Sequence, residues 1–135
     1  MKCVIVVNQK LPLGLIANTA AILGMSIGNK VKGIVGDDVL DRDGLIHRGI
    51  TQVNVPLLKG DSESIHSLRN TLLKMNTDKL FFVDFCDVAQ KCRHYDDYRA
   101  KLQQTPANEL TYLGIAICGP AQQVNTLTGS IGLLR

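Results

Sequence analysis

Leu80-Phe81-Phe82-Val83-Asp84-Phe85-Cys86-Asp87 is the most apolar run in the chain and holds half of its six aromatic residues. A continuous run of this kind is the pattern of a strand covered on both faces, so a central strand is expected here. Asp84 and Asp87 interrupt it. A buried carboxylate without a partner is costly, so the two are expected either to be paired or to stand at the carboxyl end of the strand, facing a crevice.

Two more stretches read the same way. Cys3 to Val7 is a short β-branched run with polar flanks, and Leu110 to Cys118 is a third apolar run closed by Gly119-Pro120. Helical spacing fills the intervals. From Pro12 to Gly28, apolar residues recur at Ile16, Ala20, Leu23 and Ile27, with Pro12 tolerated in a first turn. Ala20, Gly24 and Gly28 share one ridge of that helix, and close packing on a sheet is the expected reason for them. Asp61 is a good N-cap for a helix that carries Ile65, Leu68, Leu72 and Met75 on one face. Ala89 to Gln104 reads as a polar helix with Tyr95, Tyr98 and Leu102 on its apolar side, ended by Thr105-Pro106. A short helix through Val124 and Leu127 closes at Gly129.

The remaining segments read as minor strands. Val31 to Val35 is one, and Val39-Leu40 with Leu45-Ile46 flank Asp41-Arg42-Asp43-Gly44 as a hairpin. Val53, Val55 and Leu57 alternate with polar residues, with Pro56 pushing that strand toward an edge. Ile131 to Leu134 is expected to finish the sheet. Strands alternating with helices predict an α/β fold, a three-layer sandwich with a mixed, mostly parallel sheet and helices on both faces.

The 135 residues suit one domain, residues 1–135, and 45% hydrophobic against 20% charged residues is enough apolar surface for a core. A net charge of +3 does not supply the field of a nucleic-acid-binding surface, so charge does not support tRNA as a partner. The apolar run near Met1 is shorter than a signal-peptide core and far shorter than a membrane span. A cytoplasmic protein with no membrane partner is expected. Its four cysteines form no C-x-x-C pair, and reduced thiols are expected for all of them.

Several chemistries are disfavoured by spacing. Asp41 and Asp43 lack the third ligand position and closing glutamate of a calcium loop. Cys86, Cys92 and His94 match no zinc spacing, and no metal site or cofactor is expected. The chain has no G-x-G-x-x-G, no P-loop and no G-x-S-x-G elbow. His47 and His66 read as solvated, and Arg93 to Arg99 as an exposed face of alternating charge. Asp84 and Asp87 are therefore the candidate catalytic residues. The end of the first strand and the start of the first helix add Asn8, Lys10 and Asn18 as candidate ligand-binding residues, where helix N–H groups favour an anion.

Three segments carry a resemblance over nearly the whole chain: KCVIVVNQKLPLGLIANTAAILG, LFFVDFCDVAQ and YLGIAICGPAQQVNTLTGSIGLLR. Together they resemble an uncharacterised bacterial-type family, known as a domain of unknown function and grouped by fold with class II peptidyl-tRNA hydrolases. The hydrolases' closing pattern is matched at Gly119-Pro120, Thr128-Gly129, Ile131 and Leu133. Where the hydrolases open a helix with Gly-Lys-x-Ala-Ala-Gln, this chain has Gly14-Leu15-Ile16-Ala17-Asn18-Thr19, so the functional lysine is missing. Their Asp-Ala-Gly-x-Thr-Gln run is met only by Asp84 or Asp87 followed by Val88-Ala89-Gln90. The resemblance thus implies a peptidyl-tRNA hydrolase II-like fold without the parent activity. The reading that follows is a small or nucleotide-like anionic ligand held by Asn8, Lys10, Asn18, Asp84 and Asp87. Two alternatives accompany it: an ester hydrolase using Asp87 or Asp84, and a homodimeric interaction module. A homodimer is expected because the resembled relatives commonly pair.

Overall fold

The computed structural model describes residues 1–135. In chain order the elements are β1 (Lys2–Asn8), α1 (Leu13–Lys30), β2 (Val39–Leu40), β3 (Ile46–His47), β4 (Leu57–Gly60), α2 (Ser62–Met75), β5 (Phe81–Cys86), α3 (Asp87–Lys91), α4 (Tyr95–Gln103), β6 (Tyr112–Gly119) and α5 (Ala121–Thr128). The main sheet has the order β4-β1-β6-β5, and β2 and β3 form a separate hairpin. β1 and β4 are parallel, while β6 runs antiparallel to both β1 and β5. The sheet is mixed, as expected, but only one of its three pairings is parallel. Antiparallel neighbours need no crossover, so the chain turns back from β5 into β6 along one edge.

β5 is an edge strand, not the central one its composition predicts. Its faces explain its apolar character. Phe81, Val83 and Phe85 pack toward α1, while Phe82 and Cys86 pack into the opposite core with α2, so a strand with an open edge still has two covered faces. Cys3, Ile5, Val7, Leu23, Ile27 and Cys118 belong to the α1 side of the sheet; Val4, Val6, Ile65, Leu68, Leu72 and Val124 belong to the α2 side. Helices thus cover both faces of the sheet, and all eight residues of β6 are buried.

Local signals explain several boundaries. Asp61 caps α2 reciprocally: its Oδ1 accepts from Ser64 N at 2.8 Å, and Ser64 Oγ accepts from Asp61 N at 3.0 Å. Asn76, with φ of 43°, ends the same helix in the left-handed region. Asp41 Oδ1 accepts from the N–H groups of Asp43 and Leu45, and Gly44 takes φ of 79°, which is the turn chemistry expected of that loop. Residues 31–35 form no strand, only an isolated bridge between Val35 and Thr51. β4 begins at Leu57, after Pro56, whose missing N–H cannot join a ladder. Residues 131–134 reach β4 through one bridge, Leu58 to Leu133, and are not a strand. The single helix expected over 89–104 is split into α3 and α4 by an extended segment at Cys92 and His94.

The close approach of α1 to the sheet is made by a glycine on the strand rather than by glycines on the helix. A Cβ at Gly114 would lie 2.6 Å from Thr19 Cγ2, 3.0 Å from Leu23 Cδ1 and 3.1 Å from the Val6 carbonyl oxygen. Thr19, Leu23 and Ile27 are the buried residues of α1. Gly24 and Gly28 are exposed, with nothing within 4 Å of where a Cβ would stand, so close packing on the sheet does not account for them. Gly114→Ala is expected to lower stability by roughly 1–3 kcal/mol, because the added methyl must push α1 away or distort β6. Urea unfolding monitored by circular dichroism measures this directly.

Cys3 and Cys118 are directly opposed in the β1/β6 register and form a disulfide between residues 115 apart in sequence. This corrects the expectation of four reduced thiols. That expectation followed from the presumed compartment, whereas strand register brings the two sulfurs together. Cys86 is buried and Cys92 half-buried, and both are free. Thiol titration of native, unreduced protein is expected to detect Cys92 alone. Unfolding should add Cys86, and reduction should add the remaining pair.

Candidate functional site

Asp84 projects from β5 toward α2, where Arg69 meets it. Arg69 Nε donates to Asp84 Oδ2 at 2.8 Å, and both side chains are about three-quarters shielded, at 26% and 23% exposure. Burial works against the Arg69 charge, but the hydrogen bond and attraction of Asp84 outweigh it and raise the guanidinium pKa. The guanidinium carbon also lies 5.9 Å from the ring centroid of Tyr112, and the His66 ring stands 5.5 Å from Tyr112 on its other contact. Burial pushes the Tyr112 and Tyr98 hydroxyls and the Cys86 thiol upward in pKa, so all three stay protonated and uncharged near neutrality. His66 is therefore packed against an aromatic ring rather than simply solvated. His47 likewise is paired, with Nε2 at 2.9 Å from Asp41 Oδ2.

Asp87 is committed to the backbone. Its Oδ1 accepts from Val88 N at 3.0 Å and Thr111 N at 3.2 Å, while its own N–H donates to Thr111 O at 2.9 Å. It starts α3 and ties β5 to the beginning of β6. Asn8 Oδ1 accepts from Lys10 N at 3.0 Å, closing the turn after β1. Lys10 is exposed, close enough to Asp61 to help lower that carboxyl's pKa, although the Ser64 N–H is the main cause. Asn18 is exposed on α1.

A cleft of about 310 Å³ lies beside the open edge of β5. Ile22 and Ser26 of α1 form one wall, Val83, Asp84 and Phe85 the floor, and Ala89 with Cys92 through Tyr95 and Tyr98 the other wall. Of the five sequence-derived candidates, Asp84 alone lines it. Asn8, Lys10, Asn18 and Asp87 lie toward the carboxyl ends of β1 and β5, apart from this cleft. Arg69, Arg93, His94, Tyr95 and Tyr98 were not singled out as site residues by sequence. The Tyr95/Tyr98 spacing was visible, and the rings do meet, with centroids 5.5 Å apart. Nothing in the sequence marks Arg69 as the partner of a carboxylate 15 positions away.

The fold and this cleft define an α/β protein with a mixed sheet, helices on both faces and a ligand-sized recess at one sheet edge. A family model described as "protein of unknown function (DUF2000)" matches residues 1–135, and the chain belongs to that family. A solved structure of a protein of unknown function from Agrobacterium tumefaciens has the same fold, with a TM-score of 0.87 at 15% identity over 99% of this chain and 97% of that one. No curated protein matches the sequence.

The Asp84–Arg69 pair is expected to be strongly coupled. Removing either partner leaves a shielded charge unpaired and removing both leaves none, so the costs of Arg69→Met and Asp84→Leu should sum to more than the cost of the double substitution. A double-mutant cycle in urea is expected to give a coupling of about 1–3 kcal/mol.

Proposed function

We propose that this protein binds a small anionic ligand with a planar ring, nucleotide-like in chemistry, in the cleft beside β5. The observation that carries the reading is convergence. Apolar and aromatic side chains (Ile22, Val83, Phe85, Tyr98) meet polar groups from three elements (Ser26, Asp84, Arg93 and His94) in one recess. Its volume of about 310 Å³ is at the small end of ligand pockets, enough for a mononucleotide-sized molecule.

Each part of such a ligand has a counterpart. The ring would lie against Tyr98 and the aliphatic wall. The acidic group would meet Arg93, His94 and the first N–H groups of α4, whose N-cap His94 makes no side-chain capping bond. Asp84 Oδ2 accepts from Arg69 Nε, and its Oδ1, which accepts nothing from the chain, would take a hydroxyl or amino donor on the ligand. Because Arg69 balances Asp84, the carboxylate does not oppose an anion at the other end of the cleft.

Kinship with class II peptidyl-tRNA hydrolases forms part of the same proposal. Supporting it, Gly119 ends β6, Pro120 precedes α5, and Thr128-Gly129 closes that helix. The hydrolase alternative gains nothing from the geometry, since Asp84 is held by Arg69 and Asp87 by two backbone N–H groups. The tests are titrations with adenosine monophosphate, adenosine and inorganic phosphate, followed by amide chemical shifts. Adenosine monophosphate should bind best, moving Ser26 and the amides of 93–98, and Arg93→Ala or Tyr98→Ala should weaken it by about tenfold. No saturable shifts, or shifts confined to Asn8, Lys10 and Asn18, would reject this cleft as the site.

A further inference from the structure

The outer side of α1 and the β2–β3 hairpin leave an apolar surface that this chain does not cover. Leu13, Ala17, Ala21, Gly24, Met25 and Gly28 are all exposed, and α1 carries no charged residue before Lys30. Surface helices ordinarily turn a polar face to water. Glycine inside a helix is destabilising relative to alanine, and nothing within the chain approaches Gly24 or Gly28 to offset it. Between this helix and residues 34–57 runs an apolar groove of about 330 Å³, floored by Ala20, Gly24, Gly28 and Ile27 and walled by Val35 and Val55.

The hairpin raises the complementary question. Val39, Leu40, Leu45 and Ile46 on it are 58–64% exposed, and Ile50 beside it is 80% exposed. Its extensive packing is limited to the pairing of β2 with β3. A two-stranded hairpin alone in water is marginal, and this one carries apolar side chains that water would oppose.

We propose that a second copy of this chain covers both features, the hairpin of each copy lying in the α1 groove of the other. Both halves of a self-complementary interface stand on the same side of the molecule, because Val35 and Thr51, which bridge at the base of the hairpin, also line the groove. Two-fold symmetry then places each arm on the partner's helix and satisfies both surfaces at once. The area suffices. With Val35, the hairpin side chains leave on the order of 600 Å² exposed, and Leu13 and Met25 carry the face past the roughly 800 Å² per partner of a stable interface. Charge agrees as well: residues 37–48 hold four aspartates against two arginines, and Lys30 and Lys32 follow the groove at the end of α1.

Sedimentation velocity of the intact protein tests this, independently of any ligand in the β5 cleft. The wild type should be a dimer at ~10–100 μM. Leu40→Asp with Ile46→Asp should weaken the dimer by about thirtyfold or more, and so should Gly24→Glu. The three positions are exposed, so far-UV circular dichroism should be retained in each variant, separating loss of pairing from loss of fold. A wild-type monomer over that range, or a dimer that survives either variant, overturns the proposal.

Discussion

The main sheet of this protein and the helices packed on it take their places from β6, a strand buried along its whole length between β1 and β5. Its antiparallel direction joins the two halves of the chain: the register with β1 sets Cys118 against Cys3, and the register with β5 sets Ile115 against Asp84. Hydrophobic burial on both faces holds the strand in place, and its residues alternate between the two cores. A slip by one residue would exchange those cores and move Gly114 from beneath α1, where the missing Cβ lets the helix settle onto the sheet. The depth of α1, the spacing of the opposite layer and the position of the β5 edge all follow from this one strand.

The edge position of β5 is what makes room for the cleft. A central strand would have its backbone groups paired on both sides, whereas β5 leaves one side to α3, α4 and the cleft between them and α1. Within so apolar a strand, Asp84 is tolerable because Arg69 reaches it from α2 and shares its shielding. The pair therefore neutralises a charge on the α2 side of a strand whose edge lines the cleft. Asp87, three residues on, is used differently. It fastens the turn from β5 into α3 to the start of β6, and that junction supports one wall of the same recess.

The two faces of α1 divide its work. Thr19, Leu23 and Ile27 fix it to the sheet, and Ile22 and Ser26 lend it to the cleft, while the opposite side stays apolar and open beside the hairpin. One helix thus contributes to a core, to a recess and to an exposed apolar surface.

Much of the fold was legible in the residues. The β-branched run at Cys3 to Val7, the apolar run ending at Cys118, the Asp61 cap with its amphipathic helix and the Asp41 to Gly44 turn each depend on local pattern, and each forms where the pattern places it. Less of the site was legible. Asp84 could be singled out because a carboxylate in an apolar strand needs an explanation, but Arg69, Tyr98 and Ile22 come to it from three other elements, and contacts across such distances leave no periodicity to read. Local pattern was enough for the strands at Cys3 to Val7 and before Gly119, the helices after Pro12 and Asp61 and their apolar faces, since backbone propensity and hydrophobic spacing act over a few residues, but not for 31–35 and 131–134, which form no strands, or for the break between α3 and α4. That β5 lies at an edge, that Cys3 meets Cys118, and that the helix glycines face outward while Gly114 takes the close contact was settled by the packed fold alone. Those outcomes depend on strand order and register, which arise from packing the whole chain at once.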